Sequence, residues 1–259
     1  MKDTLHITTL QTSLHWENPV ANRAQFDAHL EELTAPTDLV VLPEMFTTAF
    51  SMQPRDLAET MQGESIAWMQ RWAARLQAVV CGSLIIIENG NYYNRFVWMR
   101  PDGSLETYDK RHLFTLAGED KEYTAGQKKL IIELEGWKIC PMICYDLRFP
   151  VWSRNTEDYD ILLYVANFPA RRSLAWKALL VARAIENQCY TVAVNRIGND
   201  KNNVWHSGDS CVIDYEGTTL YLAPEGEVSI ATHVLEVNKL LSFRKKLNFL
   251  TDRDNFYVL

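Results

Sequence analysis

No stretch of the sequence approaches the roughly 18 consecutive apolar residues that a membrane-spanning helix requires. The first residues, Met1-Lys-Asp-Thr-Leu-His, lack the apolar run of a secretory leader. There is no Gly/Pro/Ser-rich linker, no low-complexity tract and no internal repeat, so a single domain over residues 1–259 is expected. Positive charge is not in excess. The net charge of -7 argues against nucleic acid or an anionic membrane as the main partner. Basic pairs such as Arg171-Arg172 and Lys245-Lys246 read as solvated ends of helices or loops. The five cysteines (Cys81, Cys140, Cys144, Cys189, Cys211) are odd in number and fit no secreted disulfide framework, so a reduced, cytoplasmic protein is expected. Cys140 and Cys144 share a strand face, but no histidine pair lies nearby at ligand spacing, so zinc is not expected. The serines of His206-Ser-Gly-Asp-Ser210 have no Gly-x-Ser-x-Gly elbow around them, which disfavours a Ser-His-Asp hydrolase.

What is present is an ordinary globular composition, 47% hydrophobic and 23% charged, with ample material for a core. Alternating patterns and short apolar runs predict strands over 5–12, 38–42, 78–87, 92–99, 105–109, 130–134, 137–143, 160–166, 188–195, 204–214, 218–222 and 227–237. Asn89-Gly90-Asn91, Pro101-Asp102-Gly103 and Glu135-Gly136 supply turns between consecutive strands. Asn18-Pro19 opens a helix reaching residue 33, with Val20, Ala24, Ala28 and Leu30 towards the core. Residues 64–77 form an amphipathic helix with Ile66, Met69, Trp72, Ala73 and Leu76 inward. Ser173 caps a helix to 187, spaced through Leu174, Lys177, Leu180, Val181 and Ala184, in which Arg183, Glu186 and Asn187 read as structural. Residues 151–155 fit a short helix, and 45–62 and 115–126 read as loops. The apolar tail, 238–259, with Leu240, Leu241, Phe243, Phe249, Leu250, Phe256 and Tyr257, should pack on the body or on a partner subunit. Hairpins interrupt the alternation of helix and strand, which points to two mixed sheets packed together with helices outside.

Three polar residues each follow an apolar strand: Glu44 after 38–42, Lys110 after 105–109 and Cys144 after 137–143. Strand ends face the ligand crevice in α/β proteins. Taken alone, the cysteine reads first as core, the glutamate as a solvated strand-end carboxylate and the lysine as a surface charge. Together they supply what a thiol nucleophile needs: a proton acceptor, and a cation for the oxyanion formed on attack. His112 offers a Cys–His pair as an alternative, or a core hydrogen bond.

The ordered segments Leu42-Pro-Glu-Met-Phe46, Tyr108-Asp-Lys-Arg-His-Leu113 and Ile143-Cys-Tyr-Asp-Leu-Arg-Phe-Pro150, with Asn167-Phe-Pro-Ala170 and Ala182-Arg-Ala-Ile-Glu-Asn187, resemble the nitrilase superfamily of carbon–nitrogen hydrolases. The resemblance covers nearly the whole chain. It implies a four-layer α-β-β-α sandwich, usually dimerised, so a homodimer is expected. It implies Cys144 as nucleophile, Glu44 as general base and Lys110 as transition-state stabiliser. It also implies a second glutamate in the following loop, matched by Glu119 with Glu122 close by, and an oxyanion hole completed by the Tyr145 N–H. No metal or organic cofactor is implied. The Cys-Tyr-Asp-Leu-Arg-Phe-Pro form is similar to the ω-amidase branch, which hydrolyses the terminal amide of short dicarboxylate monoamides. Another linear amide, an N-carbamoyl compound or a nitrile is the alternative substrate. For an anionic substrate end Arg148 is the candidate cation or, equally, a structural ion-pair partner. Phe50, Phe114, Phe168 and Trp176 are candidate pocket walls.

Overall fold

The computed structural model describes residues 1–256 and 258. The first half of the chain builds one sheet. β1 (Thr4–Gln11) passes through α1 (Pro19–Glu31) to β2 (Leu39–Val41), and then through α2 (Pro54–Leu57) and α3 (Glu64–Leu76) to β3 (Val79–Glu88). These three strands are parallel. β4 (Asn91–Met99) and β5 (Leu105–Asp109) continue as an antiparallel meander. The β3–β4 turn carries Asn89 and Gly90, both at positive φ (51° and 78°), as a two-residue hairpin with right-handed strand twist demands.

After a single helical turn, α4 (Glu119–Glu122), the second sheet begins with the hairpin of β6 (Ile132–Leu134) and β7 (Trp137–Ile143). β8 (Ile161–Ala166) and β9 (Tyr190–Asn195) are parallel to β7, reached through α5 (Pro150–Ser153) and α6 (Ser173–Asn187). A ribbon of β10 (Ile197–Asn199) and β11 (Trp205–Ser207) follows. β12 (Cys211–Ile213) and β13 (Thr219–Leu222) then extend the second sheet beyond β9. β14 (Ser229–Glu236) returns to the free side of β1 and leads into α7 (Val237–Lys246). The two six-stranded orders are β14-β1-β2-β3-β4-β5 and β13-β12-β9-β8-β7-β6.

Period-two alternation assigns each strand two faces. Leu39, Val41, Val79 and Cys81 point between the sheets, into a core shared with Phe96, Trp98, Trp137 and Ile139. Val40 and Val80, one residue out of step, point the other way, into a core with Phe26 of α1 and Trp68, Met69 and Trp72 of α3. On the far side, α6 contributes Trp176, Leu180 and Ala184 to the inter-sheet cluster. The result is the expected α-β-β-α sandwich, with α1 and α3 over one sheet and α6 over the other. Of the tail, Val237 and Leu240 enter the central core and Phe243 packs against it, while Leu241 and Phe249 stay exposed. Tyr257 lies outside the described residues.

The structure corrects several local expectations. In α1 the buried residues are Asn22, Phe26 and Leu30; Val20, Ala24 and Ala28 face solvent. The reason is polar. Asn22 accepts from His15 N–H (2.8 Å) and donates to the His15 and Thr47 carbonyls (2.7 Å each), so the helix turns its asparagine inward to tie down two loops. The strand expected over 204–214 is broken into β11 and β12 by Gly208 and Asp209, both at positive φ. A Cβ at Gly208 would collide with the Gln11 side chain. Ser173 does not cap α6: it is the helix's first residue, and its hydroxyl donates to Asp209 (2.8 Å). The inward face of α6 runs through Trp176, Leu180, Arg183, Ala184 and Asn187, with Leu174 84% exposed. Arg183 bonds Glu186 and the Leu147 carbonyl, as a structural reading of that pair expects.

Candidate active site

Glu44, Lys110, Cys144 and Asn167 lie just beyond the carboxyl ends of β2, β5, β7 and β8, and the packing of the two sheets brings these ends together. Directly after β7 the chain enters a 3₁₀ turn, Cys144–Arg148, with Cys144 itself at φ 45°. That left-handed conformation costs a non-glycine residue about 1–3 kcal/mol and persists only where the surroundings impose it. Asp146 imposes it here. Its buried carboxylate accepts from the Ile143 N–H (3.0 Å), the Tyr108 hydroxyl (2.7 Å) and the His112 N–H (3.0 Å), and pairs with His112 Nδ1 (2.8 Å). One side chain thereby ties the turn bearing Cys144 to the segment following Lys110.

Lys110 Nζ lies 2.9 Å from Glu44 Oε1 and 2.9–3.0 Å from both Glu119 oxygens, with all three side chains sealed from solvent. Asn94 Nδ2 donates to Glu44 (2.8 Å) and Glu119 (3.2 Å), while its Oδ1 accepts from Ser83 Oγ, which in turn accepts from the Met45 N–H. The Phe114 N–H donates to Glu119 Oε2 (2.5 Å). The Asn167 N–H donates to Glu44 Oε2 (2.8 Å), and the Cys144 thiol lies close enough to feel the charges of Glu44 and Lys110.

The charges follow from this burial. Desolvation disfavours a charged Lys110, but Glu119 and Glu44 outweigh it and hold the ammonium protonated far above its ordinary range. Desolvation, together with the charge of Glu44, pushes the Glu119 carboxyl up against the pull of Lys110. Burial first, and the Glu44 charge second, push the Cys144 thiol well up, so the resting group is the thiol.

A cavity of about 610 Å³ opens over Cys144 and Lys110. Phe50, Phe114, Phe168, Tyr145 and Arg148 all line it. Trp176 does not: it is fully buried behind Phe168 (5.0 Å between rings) and donates from Nε1 to the Asp209 carbonyl. Glu122 is exposed, whereas Glu119 sits on Lys110. His112 stacks on Phe149 at 3.7 Å and pairs with Asp146 through Nδ1 (2.8 Å). Among the described residues no three histidine, cysteine, aspartate or glutamate side chains are grouped as metal ligands would be. Reading the sequence alone did not single out Asn94, Asp146, Arg172 or Arg196. The last two also line the cavity; the basic pair 171–172 was the one local signal for Arg172, and Arg196 had none.

The profile of the carbon–nitrogen hydrolase family matches residues 7–244. An omega-amidase of Yersinia enterocolitica is 43% identical over 258 residues, 99% of each chain. A 2-oxoglutaramate amidase of Bacillus subtilis is 34% identical over 219 residues, covering 83% of this chain and 84% of its own. The crystal structure of a superfamily protein of Xanthomonas campestris, with an arsenic adduct in its active site, superposes with a TM-score of 0.97 over the whole of both chains at 42% identity.

Proposed function

Because the chain belongs to the carbon–nitrogen hydrolase family, in the ω-amidase branch of the nitrilase superfamily, we propose that it hydrolyses the terminal amide of small dicarboxylate monoamides, such as 2-oxoglutaramate and succinamate, to the acid and ammonia. The observation that carries this reading is the sealed Glu44–Lys110–Glu119 cluster beside the Cys144 thiol, at the floor of a cavity walled by aromatics and arginines.

Glu44 takes the Cys144 proton as sulfur attacks the amide carbonyl carbon. The oxyanion is held by Lys110 Nζ and the Tyr145 N–H; Tyr145 lies in the first turn of a 3₁₀ helix, where N–H groups have no intrahelical acceptor. Glu44 returns the proton to nitrogen, the C–N bond breaks and ammonia leaves a Cys144 thioester. Water, deprotonated by Glu44, then attacks the thioester carbonyl; the C–S bond breaks, the acid departs and the thiol is restored. Glu119 keeps Lys110 charged and placed without touching the reacting carbon. Every step uses this chain's own side chains and requires no metal or organic cofactor. The protein works as a cytoplasmic homodimer in this reading, and no helix among the described residues is long and apolar enough to cross a membrane.

The test is ammonia release from 2-oxoglutaramate, succinamate, glutamine, N-carbamoyl amino acids and nitriles in parallel. The monoamide dicarboxylates should turn over fastest. Absence of turnover for all of them would refute the reading, and turnover confined to another arm would replace it.

A further inference from the structure

Several sheltered arginines of this chain have carboxylate partners: Arg95 has Asp109 and Glu88, Arg183 has Glu186, Arg244 has Asp160 and Arg23 has Glu64. The four arginines at the cavity do not: half-buried Arg172, exposed Arg148 and Arg171, and fully buried Arg196 make no salt bridge among the described residues. Among the described residues, neither the Arg148 nor the Arg172 guanidinium makes a salt bridge or a hydrogen bond, and both lie over aromatic faces. The Arg172 guanidinium lies over Phe114 at 5.0 Å, and that of Arg148 over Phe168 at 5.7 Å. Both rings line the cavity above Cys144, and Phe114 also packs edge-on against Tyr145 at 5.0 Å. A guanidinium held over a ring face keeps its N–H donors available, and those donors match a carboxylate.

The two cations are also close enough to act on each other. Burial, then the charges of Arg171 and Arg148, hold Arg172 below the ordinary arginine range, and Cys144 is near enough to pull the other way. The acids that line the same cavity are otherwise occupied. Glu17 accepts from Ser51, and Asp200 accepts from the backbone of its own loop. Lys110 is neutralised by two glutamates, and Arg196 spends its donors on the carbonyls of Leu14, Ile197 and Asn199. Arg148 and Arg172 are thus left without an acid; Arg171 and Lys201 line the same cavity and likewise make no salt bridge among the described residues, but neither lies over a ring of the wall. Arg148 ends the same 3₁₀ turn that Cys144 begins, about 8 Å away along its axis at a rise of 2.0 Å per residue.

We propose that Arg172 and Arg148 form a two-arginine clamp for the distal carboxylate of the substrate, with Phe114 and Phe168 as the plates that hold the two guanidiniums open to it. A single carboxylate then relieves the repulsion between two like charges as it binds, so selectivity for an acid-bearing amide is built into the site. The clamp deepens the amidase reading above and rests on it. Arg172 is a specificity residue and takes no part in bond making.

The experiment compares kcat/KM for succinamate with that for butyramide, which has a methyl group where succinamate has its carboxylate, in the full-length wild type and in Arg172→Gln, Arg172→Lys, Arg148→Gln and the double glutamine variant. Loss of one charge-assisted partner should lower the succinamate-to-butyramide ratio of each glutamine variant at least about tenfold, through KM rather than kcat. Arg172→Lys should fall between, since an ammonium keeps the charge and loses the fork. The double variant should lose less than the product of the singles, because both arginines hold one group. An unchanged ratio in Arg172→Gln, or additive losses, overturns the clamp. Failure of the wild type to hydrolyse succinamate would instead overturn the substrate reading. As a check independent of turnover, Cys144→Ala should bind succinate at least tenfold more tightly than Cys144→Ala/Arg172→Gln by calorimetry; equal affinities would remove Arg172 from the site.

Discussion

Replacing Lys110 with methionine tests the electrostatic core of the site. The substitution conserves most of the side chain's bulk and removes the only cation between two carboxylates that are both fully buried, each 2.9 Å from the ammonium. Breaking a buried ion pair by deleting one partner costs about 3–5 kcal/mol, because the remaining charge is left uncompensated. Here one deletion strands two carboxylates, so the upper end applies. At about 2–4 °C per kcal/mol for a chain of this size, the melting temperature at pH 8 should fall by on the order of 10–20 °C. The sign of the pH dependence follows from Glu119. Its carboxyl is already held above the ordinary value by burial, and Lys110 is the main force pulling it down. Without the ammonium its folded-state value rises further. A carboxyl that binds its proton more tightly in the folded state loses stability as pH rises above the unfolded value of about 4.3, and loses it fully above the folded value. The deficit of the variant should therefore be largest at pH 8 and less than half as large at pH 5. Urea midpoints of wild type and variant at the two pH values measure it. A deficit that is absent at pH 8, or equal at both pH values, would show that the glutamates do not depend on Lys110. The same variant should lose about 10²–10³-fold in kcat as the oxyanion loses one donor.

Cys144→Ala should abolish turnover and the acyl adduct seen by mass spectrometry after mixing with substrate; an adduct persisting on another cysteine would remove Cys144 from the nucleophile's role. Asp146→Asn places amide hydrogens against donors that now meet a carboxylate, so it should cost about 2–4 kcal/mol at roughly 1–3 kcal/mol per unmet donor, and should lower kcat more than it raises KM, in denaturation and steady-state assays. Asn22→Ala should destabilise by at least about 2 kcal/mol through its three lost bonds, whereas Val20→Ala on the exposed face should stay within about 0.5 kcal/mol, both read from urea midpoints. Sedimentation at low concentration should show a dimer, and a monomer throughout would refute the assembly expected of the apolar tail.

The strands of both sheets were legible in the sequence because their signal is local. Runs such as Ile139 to Ile143 and Ile161 to Ala166 are apolar whatever lies around them, and Asn89-Gly90 and Glu135-Gly136 place the turns by backbone conformation alone. Glu44 and Cys144 were legible for the same reason, since each closely follows an apolar strand, whereas Lys110 follows the mixed strand Leu105-Glu-Thr-Tyr-Asp109. A resemblance in ordered short segments then joined them. What the sequence could not decide is which polar residues are buried. Asn22 overrode the apolar residues of its own helix, and Trp176 was drawn behind the cavity wall by the Asp209 carbonyl. Asp146, Asn94 and Ser83 carry no mark that separates them from surface residues, because the donors and acceptors that satisfy them come from segments far apart in the chain. Arg171-Arg172 looked like a solvated loop end, and only the meeting of the loops after β5, β7 and β8 sets Arg172 beside Arg148 with no acid between them. Periodicity decides where a chain becomes strand or helix. The pairing of buried charges is decided by tertiary structure, because a charge removed from water is stable only where the fold delivers its partner.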